Sequence, residues 1–488
     1  MPLLAGPLPA PLRTIHIMGI CGTAMGSLAA MLVDAGYTVT GSDAGVYPPM
    51  SEVLAGLGIK VMEGFEASNL DHRPDLVVVG NVVRAVYDEA QALLSSDLVY
   101  CSFPQLLGAM FLEDTRSLVM AGTHGKTTTT AIATWLLEAA GRAPGYLVGG
   151  VAANLDRTAR ACGAAPGTPR HFVIEGDEYD TAFFDKQPKF VHYRPRTALL
   201  TSVEFDHADI YRDLDHVKSA FERFVGLIPE DDGCLVAYWA DENVRAVCAE
   251  ARCEVRRYGP DCAWDGRVLE VDPTRGVMKF EVLRQGRRFG VFESCMVGEH
   301  NLWNQVGVVA ALEREGLSAA DLAAGFPGFR GIRRRQELRG VVGGIAVLDD
   351  FAHHPTAVRV TLDALAMRFA GRRLWGVFEP RSNTSRRALF QQDYAVAFDA
   401  ADVVVIADPG RKDNLPSADL FSPAQLVADL LARGVEALYL PEPDEIAAVV
   451  AANAMPGDVV AVMSNGSFGG LHTKLLDALG QRFGQEAT

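Results

Sequence analysis

The stretch SLVMAGTHGKTTTTAIATW, residues 117–135, decides how the rest of the chain is read. Residues 117–121 are an apolar, strand-like run and residues 122–125 a glycine-rich turn. Ile132, Trp135, Leu136 and Ala140 then recur at helical spacing until Gly141 stops them. Strand, glycine turn and helix in that order turn backbone N–H groups inward beneath the positive end of a helix, a concavity suited to phosphate. Lys126 is placed to reach β- and γ-phosphates, and Thr127 to put its hydroxyl on Mg²⁺. The full pattern G-x-x-x-x-G-K-[ST] lacks its first glycine, since Met120 stands there, so the loop is a shortened variant. The bland alternative is a glycine-rich turn carrying an exposed lysine.

Outward from this loop, the 488 residues suffice for about three domains. Lys plus Arg number 45 against 61 Asp plus Glu, a net charge of −16, and the run Arg333, Arg334, Arg335 is too short to make a basic surface. Binding to nucleic acid or to an anionic membrane is therefore not expected. Eight cysteines are scattered without metal-ligand spacing, which reads as reduced thiols in a cytoplasmic protein. The opening MPLLAGPLPAPLRT lacks the basic leader and long apolar core of a signal peptide, and no apolar run reaches the ~18 residues needed to span a bilayer.

Toward the N-terminus, TIHIMGICGTAMGSLAAMLVDAGYTVTGSD carries a strand at 14–18, then Gly19, Gly22 and Gly26, a helix, and a second strand at 37–40 running to Asp43. This is a βαβ unit of dinucleotide-binding type, with an acidic residue about 20 positions past the glycines, where a ribose hydroxyl could bind. Close helix-to-strand packing alone would also explain the glycines. A third strand at 75–79 ends at Gly80-Asn81, and the unit closes near residue 113.

Toward the C-terminus, HFVIEGDEYDTAFFD is an apolar strand delivering Glu175 at its carboxyl end, and TALLTSVEFDHADIY is another, ending in Asp206-His207. Ligands of open parallel sheets sit beyond the carboxyl ends of the strands, so Lys126, Thr127, Glu175 and His207 are expected to converge. Oxygen donors with one imidazole suit Mg²⁺ or Mn²⁺ better than zinc. Residues 230–295 read as more β-rich and polar, as an excursion or edge subdomain would be, and VGEHNLWNQVGVVAALEREG as a helix with His300 and Asn301 in its first turn. Strand-like runs at 345–348, 374–378, 403–406, 437–440 and 459–463 alternate with helical patterns and imply a third α/β layer structure. In DDFAHHP, adjacent side chains diverge, so His353 and His354 are not expected to share a metal. Asp349 or Asp350 there could meet a ribose hydroxyl or be a solvated turn acid.

Two phosphate-type sites and a third domain suit a reaction in which ATP with Mg²⁺ converts a carboxylate to an acyl phosphate that an amine then attacks. At this point the chain resembles the Mur ligases, the ATP-dependent amide ligases of bacterial peptidoglycan assembly. The resemblance rests on AGTHGKTTT, Glu175, Asp206-His207, GEHNLWN (298–304) and DDFAHHP (349–355), in order across the whole chain. HIMGICGTAMG is similar to the branch that takes UDP-N-acetylmuramate. SDAGVYPPMS, AFFDKQPKFVHYRPRT, EPRSNT and MSNGSFGG resemble its members that add the tripeptide L-alanyl-γ-D-glutamyl-meso-diaminopimelate during cell-wall recycling. Addition of free L-alanine to the same sugar is the alternative.

The resemblance implies an α/β fold of three domains: a Rossmann-like UDP-sugar domain at 1–115, a central ATP-binding domain with a parallel sheet at 116–328, and a Rossmann-like C-terminal domain at 329–488. It implies that Gly19, Cys21, Gly22, Ser42, Asp43 and Asn81 hold the UDP-sugar. ATP would meet Gly122, Thr123, His124, Gly125, Lys126, Thr127, Thr128, Asn301, Arg335, Asp350 and His353, with Lys126, His124 and His207 catalytic. Thr127 and Glu175 would hold one Mg²⁺ and His207 another, while Arg381, Ser464, Ser467 and Phe468 would face the peptide. Other branches carry a carbamoylated lysine shortly after the metal-binding histidine, where Ser219-Ala220-Phe221-Glu222 stands here, so none is expected. The partners implied are small molecules, and the protein is expected to be a monomer or weak homo-oligomer.

Overall fold

The computed structural model describes residues 8–48, 50–163, 169–208, 210–410 and 420–484, so the first seven residues of the opening stretch, Pro49 and Asp209 lie outside them. The chain forms two compact units: residues 1–204, 215–264 and 307–325, and residues 205–214, 265–306 and 326–488.

The first unit holds a smaller parallel sheet and most of a larger one that is parallel at its centre. The smaller runs in the order Lys60–Glu63, Thr38–Asp43, Thr14–Met18, Leu76–Val79 and Tyr100–Ser102. Met18 pairs with both Ser42 and Val79, so the order reverses beside the strand that feeds the glycine loop. Crevices open at such reversals. The larger sheet places Arg116–Ala121 between His171–Gly176 and Thr197–Leu200. Met120 lies opposite Glu175, and Ala121 opposite Leu200. Leu118, Val119, Phe172, Val173, Ile174, Ala198, Leu199 and Leu200 are all 0% exposed. Burial on both faces explains why these strands read as unbroken apolar runs.

Within residues 230–295 the expectation needs correction. Cys234–Tyr238 and Glu254–Tyr258 are neither an excursion nor a separate subdomain but parallel strands extending the main sheet toward its edge beyond Thr197–Leu200. They read as separate because the outer strand is polar: Glu254 and Arg256 take ion-pair partners, Arg256 from Glu313 at 2.5 Å. Only later does the chain turn antiparallel, with Val277–Arg284 against Arg287–Ser294 in the second unit.

The second unit's main sheet runs Glu337–Val342, Ile345–Asp350, Val459–Met463, Leu374–Phe378, Val403–Ile406 and Glu436–Tyr439, parallel except for the first. That first strand is absent from the sequence reading. Alternate residues feed two cores: Leu348, Phe378 and Ile406 face Leu362 and Phe398, while Val347, Val377 and Val405 face Ile446 and Leu475. All eight cysteines are free thiols, and no described helix is long and apolar enough to cross a membrane.

Candidate active site

The phosphate loop leaves the central strand at Gly122, whose φ of +126° favours glycine. A Cβ there would overlap Thr201 Oγ1 and lie 2.9 Å from Ser202 N. The loop is stitched to that neighbouring segment: Thr123 N donates to Ser202 O (3.0 Å), His124 N to Ser202 Oγ (3.0 Å), and Glu204 N to Thr123 Oγ1 (2.9 Å). Gly125, at φ +84°, starts helix Lys126–Ala139 with no side-chain cap, leaving the first-turn N–H groups for a ligand.

Lys126 folds back over this cradle, donating from Nζ to Gly122 O (2.7 Å) and Thr123 O (3.2 Å) and pairing with Glu178 at 2.9 Å. Burial would lower the lysine pKa, but Glu178, Asp177 and Glu175 together hold it above its ordinary value. Glu175 accepts from Thr127 Oγ1 (3.2 Å) and from Gly149 N. Burial pushes its carboxyl above the usual range, against the pull of Gly149 N–H and Lys126. A buried carboxylate beside a threonine hydroxyl, with no sulfur among the donors, fits a hard divalent cation such as Mg²⁺. His124 Nε2 lies 3.3 Å from Glu204.

In the same unit the glycine loop is organised by the second strand. Gly19 N and Ile20 N donate to Ser42 O (2.8 and 3.2 Å), and Cys21 N and Gly45 N to the two oxygens of Asp43 (2.8 and 3.0 Å). Asp43 thus buttresses the loop with both oxygens. Gly22 caps helix Thr23–Asp34; a Cβ at Gly26 would strike Met50 Sδ, so that glycine serves packing. Asn81 is exposed just past the carboxyl end of Leu76–Val79, while Ser42 is buried.

The second unit carries the remaining candidates. Asp206 accepts from Thr384 Oγ1 (2.8 Å) and from His207 N (2.7 Å), with His207 Nδ1 and His353 Nε2 each 3.8 Å from it. Burial would raise the Asp206 carboxyl, yet His207, His353 and His354 hold it well below the usual carboxylate range. His354 instead caps helix Pro355–Arg368 through Nδ1, so the two histidines do diverge. Asn301, 2% exposed, spends its amide on Val297 O (2.9 Å) and Asn304 (3.4 Å). Asp350 accepts from Gln336 N and Ala352 N (both 2.8 Å), next to Arg335. Arg381 reaches Glu379 at 3.7 Å, and Ser464 Oγ donates to Glu379 and accepts from Gly466 N (2.9 Å). Ser467 is exposed, whereas Phe468 is sunk in the core at 1% and anchors the loop from beneath.

Thus Lys126, Thr127, Glu175, Gly122 and His124 come together in one unit, and His207, His353, Asp350 and Arg381 belong to the other. Sequence reasoning missed Glu178, Glu204 and Glu379. For Glu178 a signal existed in the acidic run EGDEYD directly after the strand.

Three segments match Mur ligase models in chain order: residues 14–114 the "Mur ligase family, catalytic domain", 120–312 the "Mur ligase middle domain", and 334–466 the "Mur ligase, glutamate ligase domain". The UDP-N-acetylmuramate--L-alanyl-γ-D-glutamyl-meso-2,6-diaminoheptandioate ligase of Escherichia coli K12 is 41% identical over 96% of this chain and 98% of its own. The chain belongs to the Mur ligase family. The UDP-N-acetylmuramate--L-alanine ligase of Acetivibrio thermocellus is 30% identical to this Mur ligase over 94% of each chain. A murein peptide ligase structure from Psychrobacter arcticus superposes with a TM-score of 0.69 at 36% identity, covering 96% of this chain and 99% of the other.

Proposed function

We propose that this Mur ligase joins UDP-N-acetylmuramate to the tripeptide L-alanyl-γ-D-glutamyl-meso-diaminopimelate, using ATP and Mg²⁺. The observation that carries the chemistry is the convergence of Lys126, Thr127 and Glu175 around an uncapped helix N-terminus. The choice of acceptor is supported by the 41% identity to the E. coli tripeptide ligase, set against 30% to an alanine ligase. The work divides over residues 1–115 for the nucleotide sugar, 116–328 for ATP and 329–488 for the peptide.

The reaction follows from what each group can do. The muramate carboxylate attacks the γ-phosphorus and ADP leaves; the peptide's neutral α-amine then adds to the acyl phosphate, and the tetrahedral adduct expels phosphate. Lys126, released from Gly122 O and Glu178, follows the charge on the transferring phosphoryl group, and the first N–H groups of its helix hold the β-phosphate. Thr127 and Glu175 would hold a magnesium ion, which would supply charge neutralisation for the phosphate oxygens. His207 is the imidazole proposed for a second ion, oriented by the Asp206 carboxylate at its flank. His124 is placed on the loop to steer the attacking carboxylate. Glu379 and Arg381 present opposite charges to the peptide, a pairing suited to the amine and carboxylate at the diaminopimelate end.

The test is phosphate release from ATP-Mg²⁺ and UDP-N-acetylmuramate with tripeptide as acceptor. Release that requires the tripeptide, with a product of matching mass, supports the reading. Release with L-alanine alone assigns the biosynthetic reaction instead.

A further inference from the structure

From the strand that carries Glu175 the chain grows an arm: the hairpin Asp180–Ala182 and Asp185–Pro188, turning through Phe183 and Phe184. Two-residue hairpin turns normally take Gly, Asn or Asp, which tolerate the tight backbone and leave the tip in water. Two phenylalanines at a tip make sense only if something covers them. Here both are half-buried against the smaller sheet. The Phe184 ring meets Tyr100 edge-on at 5.2 Å, and Phe183 meets Phe184 edge-on at 5.1 Å. Both rings pack against the cluster of Met18, Val77, Val79, Val83 and Tyr100. Met18 and Val79 are the last residues of the two strands flanking the order reversal, directly before the glycine loop and Gly80.

The base of the arm belongs equally to the phosphate site. Asp177 pairs with Lys189 at 2.6 Å, and Glu178 with Lys126 at 2.9 Å. On another flank, Ser27 on helix Thr23–Asp34, which follows the glycine loop, hydrogen-bonds Thr158 hydroxyl to hydroxyl at 2.7 Å, just before strand Ala159–Arg160 of the larger sheet. Two struts therefore link the sheet bearing the glycine loop to the sheet bearing the phosphate loop.

We propose that Phe183 and Phe184 are positioning residues, holding the glycine-loop sheet against the phosphate-loop sheet so that a carboxylate on the nucleotide sugar bound at one meets the γ-phosphate bound at the other. This rests on the ligase reading above. Neither ring touches a reacting atom. Their effect is on attack geometry, where a displacement of about 1 Å lowers rate about 100-fold without a matching loss of affinity.

The experiment compares the full-length protein with F183A/F184A and F183L/F184L, measuring tripeptide-dependent phosphate release and, by calorimetry without ATP, UDP-N-acetylmuramate binding. The expected result for the alanine pair is a kcat lower by about 10- to 100-fold. Its Kd for the nucleotide sugar and KM for ATP should stay within about threefold, and the leucine pair should recover most of the rate. An unchanged kcat would overturn the proposal, as would a loss lying wholly in sugar affinity, which would make the rings a wall of the binding site. If melting shows the alanine pair unfolded, the single variants F183A and F184A carry the same test, with a kcat drop and unchanged Kd expected and an unchanged kcat contradicting. Absence of release by the unaltered protein would instead sink the ligase reading, and this proposal with it.

Discussion

The Lys126 ammonium lies 2.9 Å from the Glu178 carboxylate, and the two side chains are only 16% and 3% exposed. The cation proposed to meet ATP is thus already neutralised, by a residue two positions before the arm that reaches the smaller sheet. Breaking a buried pair from one side leaves a charge uncompensated, at up to about 3–5 kcal/mol. Lys126→Met should therefore lower both stability and kcat, the latter by about 100- to 1,000-fold. Adding Glu178→Gln should restore much of the melting temperature but none of the rate. Denaturation and turnover of the single and double variants check this.

Glu175 and Thr127 should set the divalent-ion requirement. Glu175→Gln keeps an acceptor for Gly149 N and Thr127 Oγ1 but removes the charge, so the Mg²⁺ concentration for half-maximal phosphate release should rise at least about tenfold. Chelation should abolish release by the unaltered protein, and Mn²⁺ binding followed by electron paramagnetic resonance should weaken in parallel.

Glu315 gives a pH dependence separate from catalysis. Its buried carboxylate accepts from Arg116 Nε (2.6 Å) and Thr197 Oγ1 (2.6 Å) and lies 3.2 Å from His171 Nε2, at the ends of three central strands. Against the opposing effect of burial, these partners push its pKa down to about 2. A folded pKa below the unfolded one contributes stability above the unfolded value, and that contribution is lost as pH falls through the folded one. The gap amounts to about 3 kcal/mol. Urea unfolding of E315Q should show its full deficit at pH 7, shrinking between about pH 4.5 and pH 2.

Acceptor recognition should respond to Arg381. Its side chain is 52% exposed, so Arg381→Ala should leave the fold and the KM for ATP unchanged while raising the KM for tripeptide about tenfold or more. Initial-rate measurements with each substrate varied in turn separate these effects.

What was legible in the sequence was what is local or buried on both faces. The strand, loop and helix around Gly122–Lys126 could be read because glycine and lysine spacing sets them, and residues 374–378, 403–406 and 459–463 because two-sided burial makes unbroken apolar runs. Long-range partnerships were not legible. Spacing placed Asp43 beside the glycine loop but could not say that Cys21 N and Gly45 N take both its oxygens. The EGDEYD run gave acids without telling which of them Lys126 would choose. Phe183 and Phe184 break ordinary turn chemistry, a conflict that only the partner surface around Tyr100 resolves. Glu254–Tyr258 looked separate because its polar side chains pair within the strand and with Glu313 of helix Glu299–Arg314, which spacing does not reveal.

Mixing the protein with ATP-Mg²⁺ and UDP-N-acetylmuramate, and following phosphate release with tripeptide or with L-alanine, decides which acceptor this ligase takes. The expected result is release that depends on the tripeptide, with a product equal in mass to the two substrates less one water. Release with L-alanine alone, or none with either acceptor, would contradict it.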